Sequence, residues 1–407
     1  MNTPPVVSFC IPTYQRARYL ASLLESLAVQ LDSFPYPYEV VIGDNASADD
    51  TPAVIERFAA LMPIRSHRHE HNIGGFPNWQ YVMSQARGRY IVYISDDDSI
   101  LGPQVAEVIA KMEADPDIVV TYAPWLLYDL VAQQQQGQFY TVPHDLRIER
   151  GQHAELLDHI LRHHIFPEVQ IVRREALQRL QPRINEHAFF AFVHAADYLG
   201  LGSVLIQTEP FYVAITNYFA DETRDQLGNQ EVEVAWDRYR GGLEVLLARA
   251  GAKVEPEERV GLLARIQKMI AVRMSVAIRL RHQGGRDPVD THMLAMRLRG
   301  MGYEELLPVP LAALASQAML HFLLHDQELH RDVRQMWCVG AFEGRTLAYL
   351  RQHAKCPVEA VEALDRCAGL EDSLVLLGRD AVLPADADRH PPLRVLHETA
   401  LLQRFGL

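Results

Sequence analysis

Through the first 120 residues the apolar positions switch between two periods. "VVSFCIPTY" is a continuous apolar run, which predicts a buried strand ending at Pro12. Leu20, Leu23, Leu24 and Leu27 then recur at helical spacing and form one face. "YEVVIGD" predicts a second strand that stops at Asp44. Thr51-Pro52 reads as a helix start, followed by a stripe of Val54, Ile55, Phe58 and Leu61. "MPIRSHRH" is a weaker strand, and Trp79, Val82, Met83 and Ala86 mark a third helix closed by Gly88. Tyr90 to Ile94 predicts the next strand, and Val105, Val108, Ile109 and Met112 the helix after it. Such alternation specifies a mainly parallel sheet with helices on both faces. Ligands of these sheets sit beyond the carboxyl ends of the strands. The clusters "PTYQR", "DNAS" and "SDDD" all fall at such ends, so they are expected to meet in space.

From about residue 222 the pattern becomes helical. "EVAWDRYRGGLEVLLARAG" and "EERVGLLARIQKMIAVRMSVAIRLRHQGG" are two helices, the second ended by Gly284-Gly285. A short strand is expected at Asp372 to Gly378 and a last helix in "PPLRVLHETALLQRFGL". The expected division is a catalytic-type α/β domain over residues 1–220 and a mostly helical accessory domain over 221–407. Arg259 to Arg281 carries six basic residues among aliphatic ones. Packing its apolar face inside the helical domain is favoured over lying on a membrane or a lipid-linked diphosphate. Dimerisation through this domain is a further expectation. "QQQQGQ" (Gln133 to Gln138) is expected to be a loop without chemistry, and His163 and His164 to be helix-end residues.

Charge and cysteine usage narrow the class. A net charge of −13 argues against nucleic acid as a partner. No apolar run reaches membrane-spanning length, and the N-terminus lacks the basic and apolar segments of an export signal. The four cysteines are scattered, as expected for reduced thiols in the cytoplasm, with peripheral contact at the inner membrane face left open.

The chemistry concentrates in "RYIVYISDDDSILGP". Three adjacent carboxylates repel one another, so packing gives no reason for them, whereas a bound cation does. No GxGxxG follows the first strand and no P-loop occurs, so a diphosphate needs another source of positive charge. Mg²⁺ or Mn²⁺ on the triplet supplies it. Asp44 can accept hydrogen bonds from a base or ribose, and Thr13 and Tyr14 offer a backbone ledge and an aromatic face. Gly74 and Gly75 allow close backbone approach, and Asn72 and Asn78 are neutral hydrogen-bonding groups.

"VSFCIPTYQRARYLASLLESL", "EVVIGDNASADDT" and "NIGGFPNWQYVMSQARGRYIVYISDDD" together resemble family 2 glycosyltransferases of the GT-A fold. The likeness is to bacterial members that build O-antigen and other surface polysaccharides, the abequosyltransferase-like enzymes among them. It is closest over residues 5 to 115 and fades between 120 and 220. It implies a nucleotide-diphosphate sugar donor, a saccharide or lipid-linked acceptor, a divalent metal and an inverting transfer. By position it implies that Pro12, Thr13, Tyr14 and Arg16 line the nucleotide pocket, and that Asp44 contacts the base with Asn45 and Ser47 beside it. Asn72 and Gly74 would lie near ribose or diphosphate, Asp96 near ribose or donor sugar, and Asp98 would hold the metal, with Asp97 as the alternative ligand. The family's "ED" pair is missing where the catalytic base is expected. His194 and Asp197, three residues apart and so on one helical face, are the candidates, with Glu186 behind them. Two other readings stay open: a non-catalytic GT-A module that binds sugar nucleotide or saccharide, and a nucleotidyltransferase-like enzyme. The second lacks its glycine-rich loop after the first strand.

Overall fold

A computed structural model describes residues 4–180, 187–221, 233–251, 254–367, 370–382 and 394–404. The chain divides into two compact units, one of Met1–Asp225 with Asp237–Met269, the other of Gln226–Trp236 with Ile270–Leu407.

In the first unit the predicted alternation is present. Strands β1 (Val7–Thr13), β2 (Tyr38–Asp44), β3 (Ile64–Arg68) and β4 (Tyr90–Tyr93) alternate with helices α1 (Ala17–Gln30), α2 (Thr51–Ala59) and α3 (Gly75–Gln85). Helix α4 (Gly102–Ala114) follows a two-residue strand β5 (Ser99–Ile100). The predicted helical faces are the buried ones: Leu20, Leu23, Leu24 and Leu27 on α1, and Val105, Val108, Ile109 and Met112 on α4. Leu61 departs from its stripe, because α2 ends before it and leaves it exposed.

Further along come β6 (Ile118–Tyr122), β7 (Trp125–Asp129), β8 (Gln134–Gln138) and β9 (Leu146–Ile148). Helix α5 (His153–His163), β10 (Gln170–Arg173), α6 (Arg174–Arg179), α7 (Phe190–Leu201), β11 (Ser203–Ile206) and β12 (Tyr212–Asn217) complete the series. The main sheet has eight strands in the order β3-β2-β1-β4-β10-β6-β11-β9. Its first four pair in parallel, and β10 enters antiparallel between β4 and β6. A second sheet, β5-β12-β7-β8, stands beside it. The glutamine run expected as a loop is therefore a strand, β8, paired antiparallel with β7 although its side chains are mostly exposed. Ladder hydrogen bonds supplied by a neighbour override the weak strand preference of Gln and Gly. His163 ends α5 and His164 takes a left-handed cap conformation at φ 52°, as the helix-end reading expects.

Helix α8 (Trp236–Ala250) covers the start of α7. The Tyr239 ring lies 4.7 Å from that of Phe189, and Phe189 N–H donates to Arg238 O at 2.7 Å. Helix α9 (Pro256–Gln283) contributes residues to both units and ends before Gly284 and Gly285. The second unit holds α10 (Pro288–Gly300), capped by Asp287, and α11 (Leu311–His325). It then adds a four-stranded parallel sheet: β13 (Gln335–Val339), β14 (Val358–Val361), β15 (Ser373–Leu377) and β16 (Arg394–His397) in the order β14-β13-β15-β16. Helices α12 (Gly344–His353) and α13 (Glu398–Arg404) accompany it. Only β15 was expected from the sequence pattern. Among the described residues no helix is long and apolar enough to cross a membrane.

Candidate active site

The parallel register brings the strand-end residues level. Thr13 on β1 stands opposite Asp44 on β2, and Asp44 opposite Arg68 on β3. Each strand then enters a tight turn, with Gln15 at φ 52° and Ala46 at φ 63°. These left-handed conformations are uncommon for residues with a Cβ, and here hydrogen bonds hold them. Gln15 N–H donates to Ser47 Oγ at 2.8 Å, and Asn45 N–H donates to Thr13 O at 3.0 Å. Asp44 Oδ1 accepts from Ser47 N–H at 2.9 Å. The first two clusters are thus one hydrogen-bonded rim.

"NIGG" joins that rim through Asn45. Its Nδ2 donates to Asn72 Oδ1 at 2.8 Å, and its Oδ1 accepts from Ile73 N–H at 2.9 Å. Gly74, at φ +94°, turns the chain into α3 and donates its N–H to Asn72 Oδ1. Asn78 is buried, and its Nδ2 donates to Gly43 O at 2.8 Å while its Oδ1 faces His69 Nε2 at 3.0 Å. Asn78 therefore braces the floor of β2 and does not present a free amide.

The acidic triplet closes the rim from β4. Thr13 Oγ1 donates to Asp96 Oδ2 at 2.7 Å. Arg16 Nη1 donates to Asp96 Oδ1 at 3.0 Å and to Asp97 Oδ2 at 2.9 Å. Asp97 Oδ1 accepts from Ser95 Oγ at 2.5 Å. Asp98 turns toward β12, where its Oδ2 accepts from Tyr212 Oη at 2.8 Å and its Oδ1 from Ile215 N–H at 3.0 Å. Burial raises the pKa of Asp96, and the neighbouring Asp97 raises it further against the pull of Arg16. Burial likewise raises that of Asp98, with Asp97 adding to it. Three carboxylates at one strand end, two of them strained toward neutrality, suit a hard divalent cation in donor chemistry. The described residues hold no cluster of three metal-ligating side chains in a cage. A cation held by one or two carboxylates and completed by phosphate oxygens needs no cage.

Pro12, Thr13, Tyr14, Arg16, Asp44, Asn45, Ser47, Asn72, Gly74 and the triplet thus lie at the carboxyl ends of β1 to β4 or in the loops that follow them. The two candidate bases lie on α7. His194 is buried on α7 in an aromatic seat, with the Trp79 ring stacked at 6.4 Å and Phe190 at 5.6 Å edge-on. Its Nε2 has no hydrogen-bond partner, and burial lowers its pKa to about 4. Asp197 pairs with Arg249 at 2.5 Å. The expected imidazole–carboxylate pair does not form, because a ready guanidinium on α8 takes the carboxylate. Glu186 lies outside the described residues.

Pattern reading missed Arg68 and Tyr212. Arg68 Nε lies 3.3 Å from Asp44 Oδ2, an oxygen that is buried and has no hydrogen-bond partner. Its signal was present as a basic residue at the end of the weak strand. Tyr212 also accepts from Ser95 N–H at 3.0 Å, but nothing in the sequence links it to a triplet so distant in the chain.

A mainly parallel sheet with helices on both faces and an acidic triplet at the tip of its fourth strand defines a GT-A nucleotide-sugar transferase fold. Residues 8–181 match the family model described as "Glycosyl transferase family 2". An uncharacterized protein of Mycobacterium tuberculosis is 32% identical over 115 residues, 28% of this chain and 33% of that protein. Abequosyltransferase RfbV of Salmonella typhimurium is 35% identical over 115 residues, 28% of this chain and 34% of the relative. The match therefore spans about a third of the length of these curated relatives. Among solved structures, that of Staphylococcus aureus TarS 1–349 in complex with UDP-GlcNAc aligns with a TM-score of 0.48 at 17% identity, over 78% of this chain and 86% of that one.

Proposed function

We propose that the chain transfers a hexose-type sugar from a nucleoside-diphosphate donor to a hydroxyl of a saccharide or lipid-linked saccharide acceptor in surface-glycan synthesis. One observation carries this reading: four separate strand-end motifs close into a single hydrogen-bonded rim around Asp44 and the acidic triplet. The relative named for abequose transfer supports the surface-glycan setting.

The geometry supports the following roles. Asp44, with an unsatisfied buried oxygen beside Arg68, receives donors of the nucleobase. Tyr14 is exposed at the rim and offers a stacking face. The backbone of Ile73 and Gly74, turned by the left-handed glycine, lets ribose and diphosphate come close. Asp96, fixed by Thr13 and Arg16, orients ribose or donor sugar. Asp98, with Asp97 beside it, would hold Mg²⁺ or Mn²⁺, which when bound neutralises charge on the departing diphosphate. Both oxygens of Asp98 keep a lone pair beyond their bonds to Tyr212 and Ile215. Of the two candidate bases we keep His194, which is neutral and has an unpartnered nitrogen, over Asp197, which is committed to Arg249. Transfer with inversion is part of the same reading.

Incubation with a panel of nucleotide sugars and Mn²⁺ tests it. Release of nucleoside diphosphate from one donor is expected, with a loss of about 10²-fold or more in Asp98→Ala. Unchanged turnover in that variant, or no donor turned over at all, removes the proposal. The phenylalanines at the start of α7 and the buried seat of His194 favour one second reading, a lobe that binds donor without turnover. Tight nucleotide binding with no hydrolysis, indifferent to His194→Ala, would support it.

A further inference from the structure

Three carboxylates crowd the end of β4, and one guanidinium answers two of them. Arg16 Nη1 touches Asp96 at 3.0 Å and Asp97 at 2.9 Å, and its side chain is only 20% exposed. The loop that carries it is held without this contact, through Gln15 N–H on Ser47 and Ala17 N–H on Asp49 at 3.0 Å. Asp98 is engaged separately, by Tyr212 and Ile215. A guanidinium and a divalent ion repel each other at such range, so the two compete for Asp97.

We infer that Arg16 is the resident counter-cation of the acidic triplet in the donor-free chain, and that a divalent ion reaches Asp97 only when Arg16 lets go. This inference rests on the metal-dependent reading above. A diphosphate is the group that draws the guanidinium away, since its oxygens match the planar fork better than a single carboxylate oxygen does. The ion and the diphosphate therefore enter together, and Arg16 keeps the triplet from gathering a free cation between turnovers. Arg16 is in this sense a positioning residue that sets the order of binding.

Mn²⁺ binding to the full chain, followed through the electron paramagnetic resonance signal of the free aquo ion, tests it without any turnover. With Mn²⁺ alone the unaltered chain is expected to bind weakly, and Arg16→Met at least about tenfold more tightly, because a like charge has been removed a few ångströms away. Arg16→Lys keeps the charge and should stay near the unaltered chain. Asp97→Asn added to Arg16→Met should erase the gain. UDP or GDP, in separate samples, should tighten Mn²⁺ binding to the unaltered chain. Arg16→Gln, checked by thermal melting, serves if the methionine variant misfolds. No gain in either neutral variant, while a nucleotide still recruits Mn²⁺, overturns the inference and leaves the metal-dependent reading standing. No Mn²⁺ retained by any chain, even with nucleotide, overturns both.

Discussion

Tyr212 holds two groups at once: its hydroxyl donates to Asp98 and accepts from Ser95 N–H. Tyr212→Phe leaves a half-buried carboxylate oxygen and a backbone N–H short of a partner. A loss of about 1–3 kcal/mol in urea unfolding is expected, and no loss would mean that water replaces the hydroxyl. His194 gives a prediction about pH. Its imidazole is held to about 4 in the folded chain, against an ordinary value near 6.5. Between those values the unfolded chain binds a proton that the folded chain refuses, so stability rises with pH across the window. It is fully present above about pH 6.5 and fades on acidification toward pH 4, by on the order of 3 kcal/mol. His194→Gln should flatten that slope, and equal slopes in the two chains would count against it. Asp44, Thr13 and the triplet were legible because each follows an apolar strand directly. Arg68 was not, since its strand lies at the sheet edge with a largely exposed pattern.

At the scale of elements, Gly88 decides how closely α3 leads into β4. A Cβ there would come within 2.6 Å of Ser8 N and 2.7 Å of the Val7 carbonyl carbon, both backbone atoms of β1. Gly88→Ala is expected to cost about 1–3 kcal/mol, measurable as a lowered thermal midpoint. An unchanged midpoint would show that β1 and β4 shift apart freely, against their four-residue parallel register. The parallel strands announced themselves as continuous apolar runs because both of their faces are covered. Strand β10 did not, although every one of its four residues is buried. Four residues are too few to reveal a direction, and an antiparallel strand inside such a sheet has the same apolar pattern as a parallel one. Strand β8 exists only through its partner β7.

On the scale of the whole chain, the boundary expected near residue 220 cuts through a packed layer. Tyr239 on α8 packs its ring against Phe166, Phe189 and Phe192 at 5.2, 4.7 and 6.5 Å. Arg249 and Arg265 reach back to Asp197 and Asp158. A chain ending at residue 220 should expose these phenylalanines and aggregate, whereas one ending at residue 269, the limit of the first unit, should stay monodisperse in gel filtration. Equal solubility of the two would remove any structural role for residues 237–269. The change to a helical pattern that suggested 220 was real, but helicity alone does not say which unit a helix joins.

The sequence by itself determined the alternating α/β start, the buried face of each early helix, and the strand ends at which polar chemistry collects. Periodicity and strand-end position are local, and one chain read in order contains them. Only the tertiary structure decided that Arg16 answers Asp96 and Asp97, that Tyr212 holds Asp98, that Arg249 takes Asp197 away from His194, and that the last third closes in a parallel sheet. Those outcomes depend on which of several competing partners is nearest in space, and proximity between distant residues is written in no local pattern.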